Sequence, residues 1–383
     1  MISRWKSTAL SKVAVIERSA IQPAEIEEGT PYLGLEHIES GGKILGAKPV
    51  DAGELASSKF RFSAKHVLYG KLRPYLAKIT CPDFTGICST DILPILPGSN
   101  LDRRFLCYFL RQPSMVEYAN SRTSGANLPR LSPTALAEIE IPLPPLAEQK
   151  RIAGILDAAD ALRAKRRESL AQLDSLLQST FLTLFGDPVS NPTHPTMSIE
   201  ESVGRIIDYR GKSPDKTPSG IPLITAKIVK NKGVDEPSEF IATEAYESWM
   251  RRGIPSPQDV IITTEAPMGE VALVPDYKAA FAQRLLVLQP KRDLLEPIYL
   301  MWALTMPFAT RQMDQRSTGS TVTGIRSKEF RKVAIPLPPL PLQRRFAAIV
   351  ESVERQKAQQ RAHLAELDAL FASLQHRAFR GEL

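Results

Sequence analysis

The chain has 383 residues, which is long enough for two or three domains that each bury a core of their own. A hydrophobic content of 43% and a charged content of 24% are typical of a soluble globular protein, and the net charge of +7 permits a polyanionic partner without requiring one. Because no run reaches the roughly 18 apolar residues of a membrane helix and residues 1–10 lack the apolar core of a signal peptide, we expect a cytoplasmic protein with no membrane segment.

The cysteines and histidines predict no metal site. Cys81, Cys88 and Cys107 are odd in number and lack metal-ligand spacing, so we expect reduced thiols that serve mainly in packing. The five histidines form no cluster along the sequence. We therefore expect no bound metal ion.

Residues 1–140 predict a first domain of mixed α and β structure. Short apolar runs bounded by turn residues indicate strands at 32–35, 66–69, 76–80 and 92–96, and a helix is predicted at 103–110. Near the middle of this domain Lys71 and Arg73 lie between the aromatic residues Tyr69 and Tyr75 around a predicted turn. Such cations can pair with phosphates, and an arginine can form a forked contact with guanine. The turn is therefore a candidate DNA contact, and the alternative is an ordinary basic turn.

The loop 121–130 is a second candidate in this domain. It contains Asn127 and Arg130 among small residues whose hydroxyl and backbone N–H groups can approach a phosphate closely. It is also compatible with a simple connector to the proline-rich segment that follows.

A stretch that begins with Ile-Pro-Leu-Pro-Pro-Leu at residues 141–187 occurs again at 335–383, an offset of 194 residues (335 minus 141). The identical hexapeptide is followed by further matches at the same offset. Gln149, Arg151, Ile155, Leu170, Leu173, Asp174, Leu176 and Phe185 correspond to Gln343, Arg345, Ile349, Leu364, Leu367, Asp368, Leu370 and Phe379. The chain therefore contains an internal repeat.

Each copy predicts one long helix that needs a partner along its length. Residues 146–185 are 40 residues, about 60 Å of helix at 1.5 Å per residue. Apolar residues spaced three and four apart form a narrow seam, so we predict that the two helices pack antiparallel. The predicted pairing and subunit-interface residues are Ile152, Ile155, Leu162, Leu173, Leu177, Phe346, Ile349, Val353, Leu367 and Leu374.

Both seams turn polar near their middle. Arg163 and Arg166 occupy this region of the first helix, and Gln356 and Gln360 that of the second. Three interpretations stay open: a layer that sets the register of the pair, a docking patch, or solvated faces.

Residues 188–334 predict a second mixed domain, with strands at 223–225, 260–264, 271–274 and 285–288 and a helix at 297–303. Its segment 284–290 corresponds to segment 91–97, and its loop 318–326 also repeats the layout of the first domain. Residue chemistry and loop position nominate as DNA contacts Arg210, Lys212, Lys216, Lys227, Thr264, Ser320, Thr321 and Arg326.

Motifs for catalysis are absent from the sequence. No GxGxxG between a strand and a helix, no GxxxxGK[ST], no HExxH and no GxSxG is present. We therefore expect no catalytic residue and no cofactor bound by this chain. The predicted fold class is α+β: two mixed α/β domains in tandem (1–140 and 188–334), separated and followed by long helices (141–187 and 335–383) that pair as an antiparallel coiled coil.

With the doubled IPLPPL, the Gln-(Lys/Arg)-Arg that follows it and the two divergent domains, the chain resembles the specificity subunit of a Type I restriction-modification system. The resemblance covers essentially the whole chain. It implies two target recognition domains that each read one half of a bipartite, asymmetric site in double-stranded DNA. It also implies that the helix pair fixes the gap and docks two modification (methyltransferase) subunits.

The same resemblance implies that the chemistry lies in the partners. S-adenosylmethionine would bind to the methyltransferase, and ATP and Mg²⁺ to restriction subunits that translocate and cleave DNA. Three alternatives remain: a specificity subunit of a Type IIB-like system, a coiled-coil scaffold that binds no DNA, and a stand-alone methyltransferase or nuclease. Neighbouring reading frames, salt-dependent duplex binding and activity with S-adenosylmethionine would separate them.

Overall fold

The computed structural model describes residues 5–51, 53–125, 127–187, 189–190, 193–209, 213–319 and 322–383. The chain divides into two compact units. The first comprises Met1–Glu168 and Ala362–Leu383, and the second comprises Ser169–Arg361. Each unit thus combines one predicted domain with a part of each long helix.

The first unit is built from many short strands and a few helices. In chain order they are β1 (Ser7–Ala9), β2 (Ala14–Ile16), β3 (Ala20–Ile21), β4 (Pro31–Leu33), β5 (Lys48–Pro49), β6 (Lys59–Phe62), β7 (Val67–Gly70), β8 (Ile79–Thr80), β9 (Gly86–Cys88), β10 (Ile92–Pro97), α1 (Arg103–Leu110), α2 (Pro113–Ser121), β11 (Thr123–Ser124), β12 (Arg130–Leu131), α3 (Pro133–Ala137), β13 (Glu140–Pro142) and the part of α4 (Leu146–Phe185) up to Glu168. Single 3₁₀ turns lie at Leu10–Lys12, Pro23–Glu25, Leu35–His37 and Pro74–Leu76.

Two sheets and a ribbon organise this unit. A four-stranded antiparallel sheet has the order β2-β10-β7-β8, and a five-stranded sheet has the order β3-β6-β9-β4-β5 with β4 and β9 parallel. The ribbon of β1 and β13 joins the start of the unit to the segment just before α4. The first sheet packs on α1, whose residues 105–110 are all buried.

The second unit repeats this plan. Its elements are β14 (Thr196–Ser198), α5 (Ile199–Ser202), β15 (Val203–Asp208), β16 (Ile221–Ile224), β17 (Val229–Lys230), β18 (Gly233–Val234), β19 (Phe240–Ile241), α6 (Tyr246–Trp249) after a 3₁₀ turn at Thr243–Ala245, β20 (Val260–Thr264), β21 (Met268–Leu273), β22 (Ala280–Phe281), β23 (Leu285–Pro290), α7 (Pro297–Thr305), α8 (Pro307–Arg316), α9 (Ser327–Phe330), β24 (Ala334–Pro336) and α10 (Leu340–Arg380).

The sheets of the second unit correspond to those of the first. The order β15-β23-β20-β21 matches β2-β10-β7-β8, and the ribbon of β14 and β24 matches that of β1 and β13. A three-stranded sheet, β19-β16-β22, replaces the five-stranded sheet of the first unit. The predicted α+β fold with a tandem repeat is confirmed.

Both long helices have the sequence signals of their ends. Each begins after a Pro-Pro pair, where a proline lacks only an N–H that would have no helical partner. Gly186 and Gly381 follow the last turns with φ of +71° and +76°, a left-handed conformation that glycine adopts without steric cost. The predicted helix at residues 146–185 is confirmed at both ends.

Within each unit the parts of α4 and α10 run antiparallel. In the first unit Arg151 donates to the backbone carbonyl of Leu383 at 2.9 Å, and farther along α4 Arg163 meets Asp368 at 2.6 Å. In the second unit Asp174 meets Lys357 at 2.7 Å, and the rings of Phe185 and Phe346 lie 5.4 Å apart. Residue numbers rise along one helix as they fall along the other, which confirms the predicted direction.

Nine of the ten predicted pairing residues are buried or partly buried, and one is exposed. Ile152, Leu177, Phe346 and Val353 are buried, and the partly buried ones are Ile155, Leu173, Ile349, Leu367 and Leu374. Leu162 is 53% exposed, so its placement in the seam is wrong. The neighbouring Arg163 turns inward instead, and successive helical residues point about 100° apart.

A buried glutamine fastens the start of each long helix to its unit. Gln149 donates to the carbonyls of Asn100 and Pro144 at 2.9 and 2.8 Å and accepts from the Asp102 N–H at 2.8 Å. Gln343, 194 residues later, donates to Leu294 and Pro338 at 3.0 and 2.8 Å and accepts from Glu296 at 2.9 Å. Both side chains have zero exposure. The repeat thus extends to individual hydrogen bonds, which satisfy every polar atom of a buried amide.

Candidate nucleic-acid interface

A junction of three chain segments holds the predicted contacts of the first unit. The Lys71 N–H donates to the Asp91 carbonyl and the Leu131 N–H donates to the Lys71 carbonyl, both at 2.9 Å. Leu72 and Arg130 form an isolated bridge. We call residues 70–75, 89–92 and 129–131 the first frame, because these bonds fix the end of β7, the start of β10 and β12 against one another.

One carboxylate holds two of the predicted cations in the first frame. Arg130 forms a fork on Asp91, with Nε at 3.1 Å and Nη2 at 3.4 Å, and Lys71 Nζ lies 3.7 Å away. The hydrogen bond from Arg130 to Asp91 raises the pKa of Arg130 above its ordinary value. Asp91 was not among the predicted site residues. It orients both cations and lowers the net charge that they offer to a phosphate.

Arg73 is presented differently from these two cations. Its backbone is left-handed, with φ +50° and ψ 63°, and its N–H donates to the Pro129 carbonyl at 2.8 Å. Its side chain is exposed, and among the described residues no acid pairs with it. Residues other than glycine adopt a left-handed backbone only where the surrounding structure holds them in it, and such residues are frequent at functional sites. Arg73 is therefore the cation of this frame most available to a ligand.

The two aromatic residues of the predicted turn differ in solvent exposure. Tyr75 is 50% exposed beside Arg73. Tyr69 is only 2% exposed, because it lies on β7 inside the core of the unit, and burial raises the pKa of its hydroxyl. The expectation that Tyr69 contacts DNA is therefore wrong. Asn127 is exposed in the loop between β11 and β12.

The second unit contains the same backbone junction. The Thr264 N–H donates to the Arg284 carbonyl and the Ile325 N–H donates to the Thr264 carbonyl, again both at 2.9 Å. Glu265 and Gly324 form the isolated bridge. We call residues 263–268, 282–285 and 323–326 the second frame. It places the predicted Thr264 and Arg326 together, at a cleft of about 350 Å³.

Different side chains occupy the second frame. Arg284 Nη2 lies 3.6 Å from Glu265 Oε1, and Gln283 donates to Ser213 at 3.0 Å. Arg326 is exposed, and no acid among the described residues pairs with it. Arg284 was missed as a site residue, although the alignment of segment 284–290 with 91–97 already placed it opposite Asp91.

The remaining predicted contacts of the second unit do not join this frame. Lys216 forms an ion pair with Glu239 at 2.9 Å, and Lys227 is exposed in the turn between β16 and β17. The predictions for Arg210, Lys212, Ser320 and Thr321 lie outside the described residues.

An ionic layer occurs at equivalent places along the helix pair. In the first unit Arg163 is 19% exposed and contacts Asp160 at 2.7 Å and Asp368 at 2.6 Å. In the second unit Lys357 is 7% exposed and contacts Glu354 at 2.5 Å and Asp174 at 2.7 Å. Each residue of one set lies 194 positions from its counterpart (163 to 357, 160 to 354, 174 to 368). Of the three interpretations of the polar mid-seam, the geometry of Arg163 favours a layer that sets the register.

Exposed leucines also repeat on the two helices. Leu176 in the second unit and Leu370 in the first are each 49% exposed, and they are separated by the repeat offset (370 minus 176 is 194). A single exposed leucine is common on a protein surface, so the notable feature of these two is that they recur at the repeat offset. The two units thus present the same exposed apolar residue.

The three cysteines lie in the described part of the chain. Cys88 and Cys107 are buried, Cys81 is partly buried, and all three are free thiols. No group of His, Cys, Asp and Glu in the described residues has the arrangement of a metal site. The described helices include none with the length and apolarity needed to cross a membrane.

Comparison with known proteins decides the family. The model of the Type I restriction modification DNA specificity domain matches twice, at residues 3–173 and 204–368, and so covers most of the chain. The chain belongs to the family of Type I restriction-modification specificity subunits. The predicted family and the tandem organisation are confirmed. Specificity subunits recognise DNA and are not themselves catalytic, in agreement with the prediction for this chain.

Curated relatives carry the same description. The specificity subunit of the Type I restriction enzyme EcoDI from Escherichia coli is 31% identical over 188 residues, which are 48% of this chain and 42% of that subunit. The EcoKI subunit from Escherichia coli K12 is 25% identical over 307 residues, 73% of this chain and 65% of the relative. The matches therefore span less than two thirds of either relative.

Solved structures share the fold. A chain from a structural study of complex assembly and conformational transition of the type I R-M system has a TM-score of 0.59 at 24% identity, with 99% of this chain and 98% of that chain covered. The Type-I restriction-modification S subunit from M. genitalium has a TM-score of 0.57 at 15% identity, with 98% and 96% covered.

Proposed function

We propose that this specificity subunit reads a bipartite site in double-stranded DNA, one half with each unit, and that it docks two methyltransferase subunits through its long helices. The observation that carries the proposal is the pair of frames. Both share two backbone hydrogen bonds, an isolated bridge and a left-handed residue before a proline, and they carry different side chains at every charged position. Two domains that dock on DNA in the same geometry but recognise different sequences need a common backbone arrangement with different side chains on it.

The first frame supports contact with a polyanion. Arg73 is exposed, unpaired among the described residues, and held in one conformation by its own strained backbone and by the bond to Pro129. Lys71 and Arg130 extend the basic surface but share Asp91. We therefore assign Arg73 to a base or phosphate contact, with Lys71, Tyr75, Asn127 and Arg130 as its neighbours at the DNA.

The second frame supports the other half-site. Thr264, Arg284 and Arg326 line one cleft together with the acceptor Glu265. Lys216 and Lys227 lie elsewhere on the unit, and the proposal assigns them to phosphate contacts at the periphery. Arg210, Lys212, Ser320 and Thr321 remain proposed contacts from the sequence alone.

The helix pair supports two equivalent docking surfaces. Leu176 and Leu370 are exposed to the same extent at positions related by the repeat. Equivalent surfaces on two repeats of one chain are what two copies of one partner require. In the proposed assembly the methyltransferases bring S-adenosylmethionine. Restriction subunits, with ATP and Mg²⁺, complete the system.

The test is duplex binding by the complex assembled from this chain and the methyltransferase encoded next to it. We expect binding whose logarithmic affinity falls linearly with the logarithm of salt concentration, because cations replace counterions on phosphates. The methyltransferase alone should bind the same duplex more weakly and without sequence preference. Equal binding with and without this chain, from a complex shown to be assembled, would favour the coiled-coil scaffold instead.

A further inference from the structure

Two backbone hydrogen bonds and one isolated bridge recur in the two frames, and they assign a counterpart to the residues that form them. Lys71 corresponds to Thr264. The backbone N–H of each donates to the carbonyl of the residue just before a central strand, β10 or β23, and the backbone carbonyl of each accepts from the residue just after the isolated bridge. Arg73 corresponds to Ala266, since both are left-handed, with φ of +50° and +49°, and both precede a proline. By the same bonds Asp91 corresponds to Arg284.

The counterparts differ most at the residue that precedes the central strand. Asp91 is an acid that holds Lys71 and Arg130, whereas Arg284 is a base that meets Glu265. The charge is thus inverted between two residues whose carbonyls accept the same hydrogen bond, although Arg284 has a left-handed backbone and Asp91 does not. Phosphates carry the same negative charge in every half-site, so an acid such as Asp91 is unsuited to a position that contacts a phosphate in both domains. Opposite charges at corresponding positions suit a partner that differs between the half-sites, and the edges of the bases are what differs there.

The side chain of Arg284 is free enough to read a base. It is 48% exposed, and its contact with Glu265 is a single Nη2 to Oε1 distance of 3.6 Å. A forked ion pair would use two nitrogens at shorter distances, so most donors of the guanidinium stay available. Its backbone, with φ +71°, is fixed by the bond from Thr264 to the Arg284 carbonyl and by β23, which begins at the next residue.

We infer that Arg284 is a specificity-determining residue and that it donates a forked pair of hydrogen bonds to a guanine in the half-site read by the second unit. A guanidinium directed at a base edge pairs best with O6 and N7 of guanine. Glu265 lies beside the guanidinium, with its Oε1 3.6 Å from Nη2. This inference rests on the proposed function and adds to it the residue and the base.

The test maps methylated adenines by single-molecule sequencing in a methylation-free host that expresses the neighbouring methyltransferase with each variant of this chain. Arg284→Lys keeps the charge but loses the fork, and Arg284→Gly removes the side chain at a φ that glycine accepts. Arg311→Gln, an exposed arginine on α8 of the same unit, is the matched control.

We expect wild type and Arg311→Gln to methylate one bipartite motif that contains a guanine in the second unit's half. Both Arg284 variants should relax that one position, with discrimination reduced about tenfold to a hundredfold, and leave the other half unchanged. Methylation of the unchanged half also reports that the variant complexes are folded and assembled.

Two other results would overturn the inference. If Arg284→Lys behaves as wild type while Arg284→Gly lowers methylation without altering the motif, Arg284 binds a phosphate. If neither variant alters the motif or its level, Arg284 has no contact with DNA. In both cases the wild-type bipartite motif still stands, so failure of this inference is distinct from failure of the proposed function, in which wild type itself yields no such motif.

Discussion

Arg163 Nε lies 2.6 Å from Asp368 Oδ1, and the same contact recurs 194 residues along as Lys357 Nζ to Asp174 Oδ1 at 2.7 Å. In each unit the cation also meets an acid three residues before it on its own helix, Asp160 or Glu354. The ion pairs lie where the apolar seam is interrupted. A polar layer of this kind fixes the register of two long helices, because any shift along the seam separates its charges.

Removal of the more buried cation should destabilise the second unit. Lys357→Ala removes a buried aliphatic stem and the cation between Asp174 and Glu354, which leaves Glu354 only the more distant Arg361 at 3.8 Å among the described residues. We expect the free energy of unfolding to fall by about 1–3 kcal/mol, less than for a fully buried pair because Asp174 is 62% exposed. Urea unfolding measures this change. Lys357→Met, which keeps the stem, is the control and should lose less, and wild-type stability in Lys357→Ala would refute the role of the layer.

The buried glutamines should be equally important in the two units. Gln149→Ala leaves the Asp102 N–H and the carbonyls of Asn100 and Pro144 without a partner. An unsatisfied buried group costs about 1–3 kcal/mol, so we expect a loss of at least about 2 kcal/mol in urea unfolding. Gln343→Ala should give a similar loss. The control Lys150→Ala, at the exposed neighbouring position, should change the free energy of unfolding little. If only one of the two glutamine variants were destabilised, the two glutamines would not contribute equally to stability.

The exposed leucines should matter for assembly and not for folding. Leu176→Arg and Leu370→Arg each place a charge where we propose that a methyltransferase docks, and we expect each to weaken assembly by at least about tenfold. Sedimentation of mixtures with the methyltransferase measures it. Leu45→Arg, at a leucine that is 57% exposed away from the helices, is the control.

A charged residue introduced at a packed seam position should have a different effect from one introduced at the exposed leucines. Leu173 packs against the core of the second unit and Leu367 is partly buried. Leu173→Asp and Leu367→Asp should therefore lower stability and assembly together. Native-like assembly by both variants would contradict the packing of the helix pair.

Arg73 should affect one half-site only. Arg73→Gly removes the side chain and suits the left-handed backbone, so its effect reports the guanidinium and not strain. We expect binding by the assembled complex to weaken by about 1–3 kcal/mol through the first unit's half-site. The measurement compares duplexes with one half scrambled at a time. Equal losses at both halves would mean that the units do not read independently.

The features that can be predicted well from the sequence are those with a long-range pattern. The seam and its diproline and glycine boundaries define α4 to the residue, and the 194-residue repeat by itself indicates a second domain like the first. The strands β10 and β20, which each contain a short apolar run, are also predicted. The five-stranded sheet is not, because strands such as β3 and β5 have two residues each and show no alternation.

The errors at the candidate site have one physical origin. The sequence shows which side chains Tyr69 and Leu162 carry but not the direction in which they point. On a strand or a helix, neighbouring residues can face the core and the solvent, so an error of one position exchanges a buried residue for an exposed one. Asp91 and Arg284 could not be predicted as site residues, because a single charged residue before a strand forms no recognisable sequence motif. Their importance follows from the backbone bonds that bring three distant segments together.

The most direct test of the account is a map of methylated adenines in a methylation-free host that expresses the neighbouring methyltransferase with or without this chain. We predict a motif of two specific halves separated by a fixed unspecified gap, present only when the chain is expressed. No new methylation from a complex shown to be assembled, or the same motif without this chain, would contradict its role as the reader of the site.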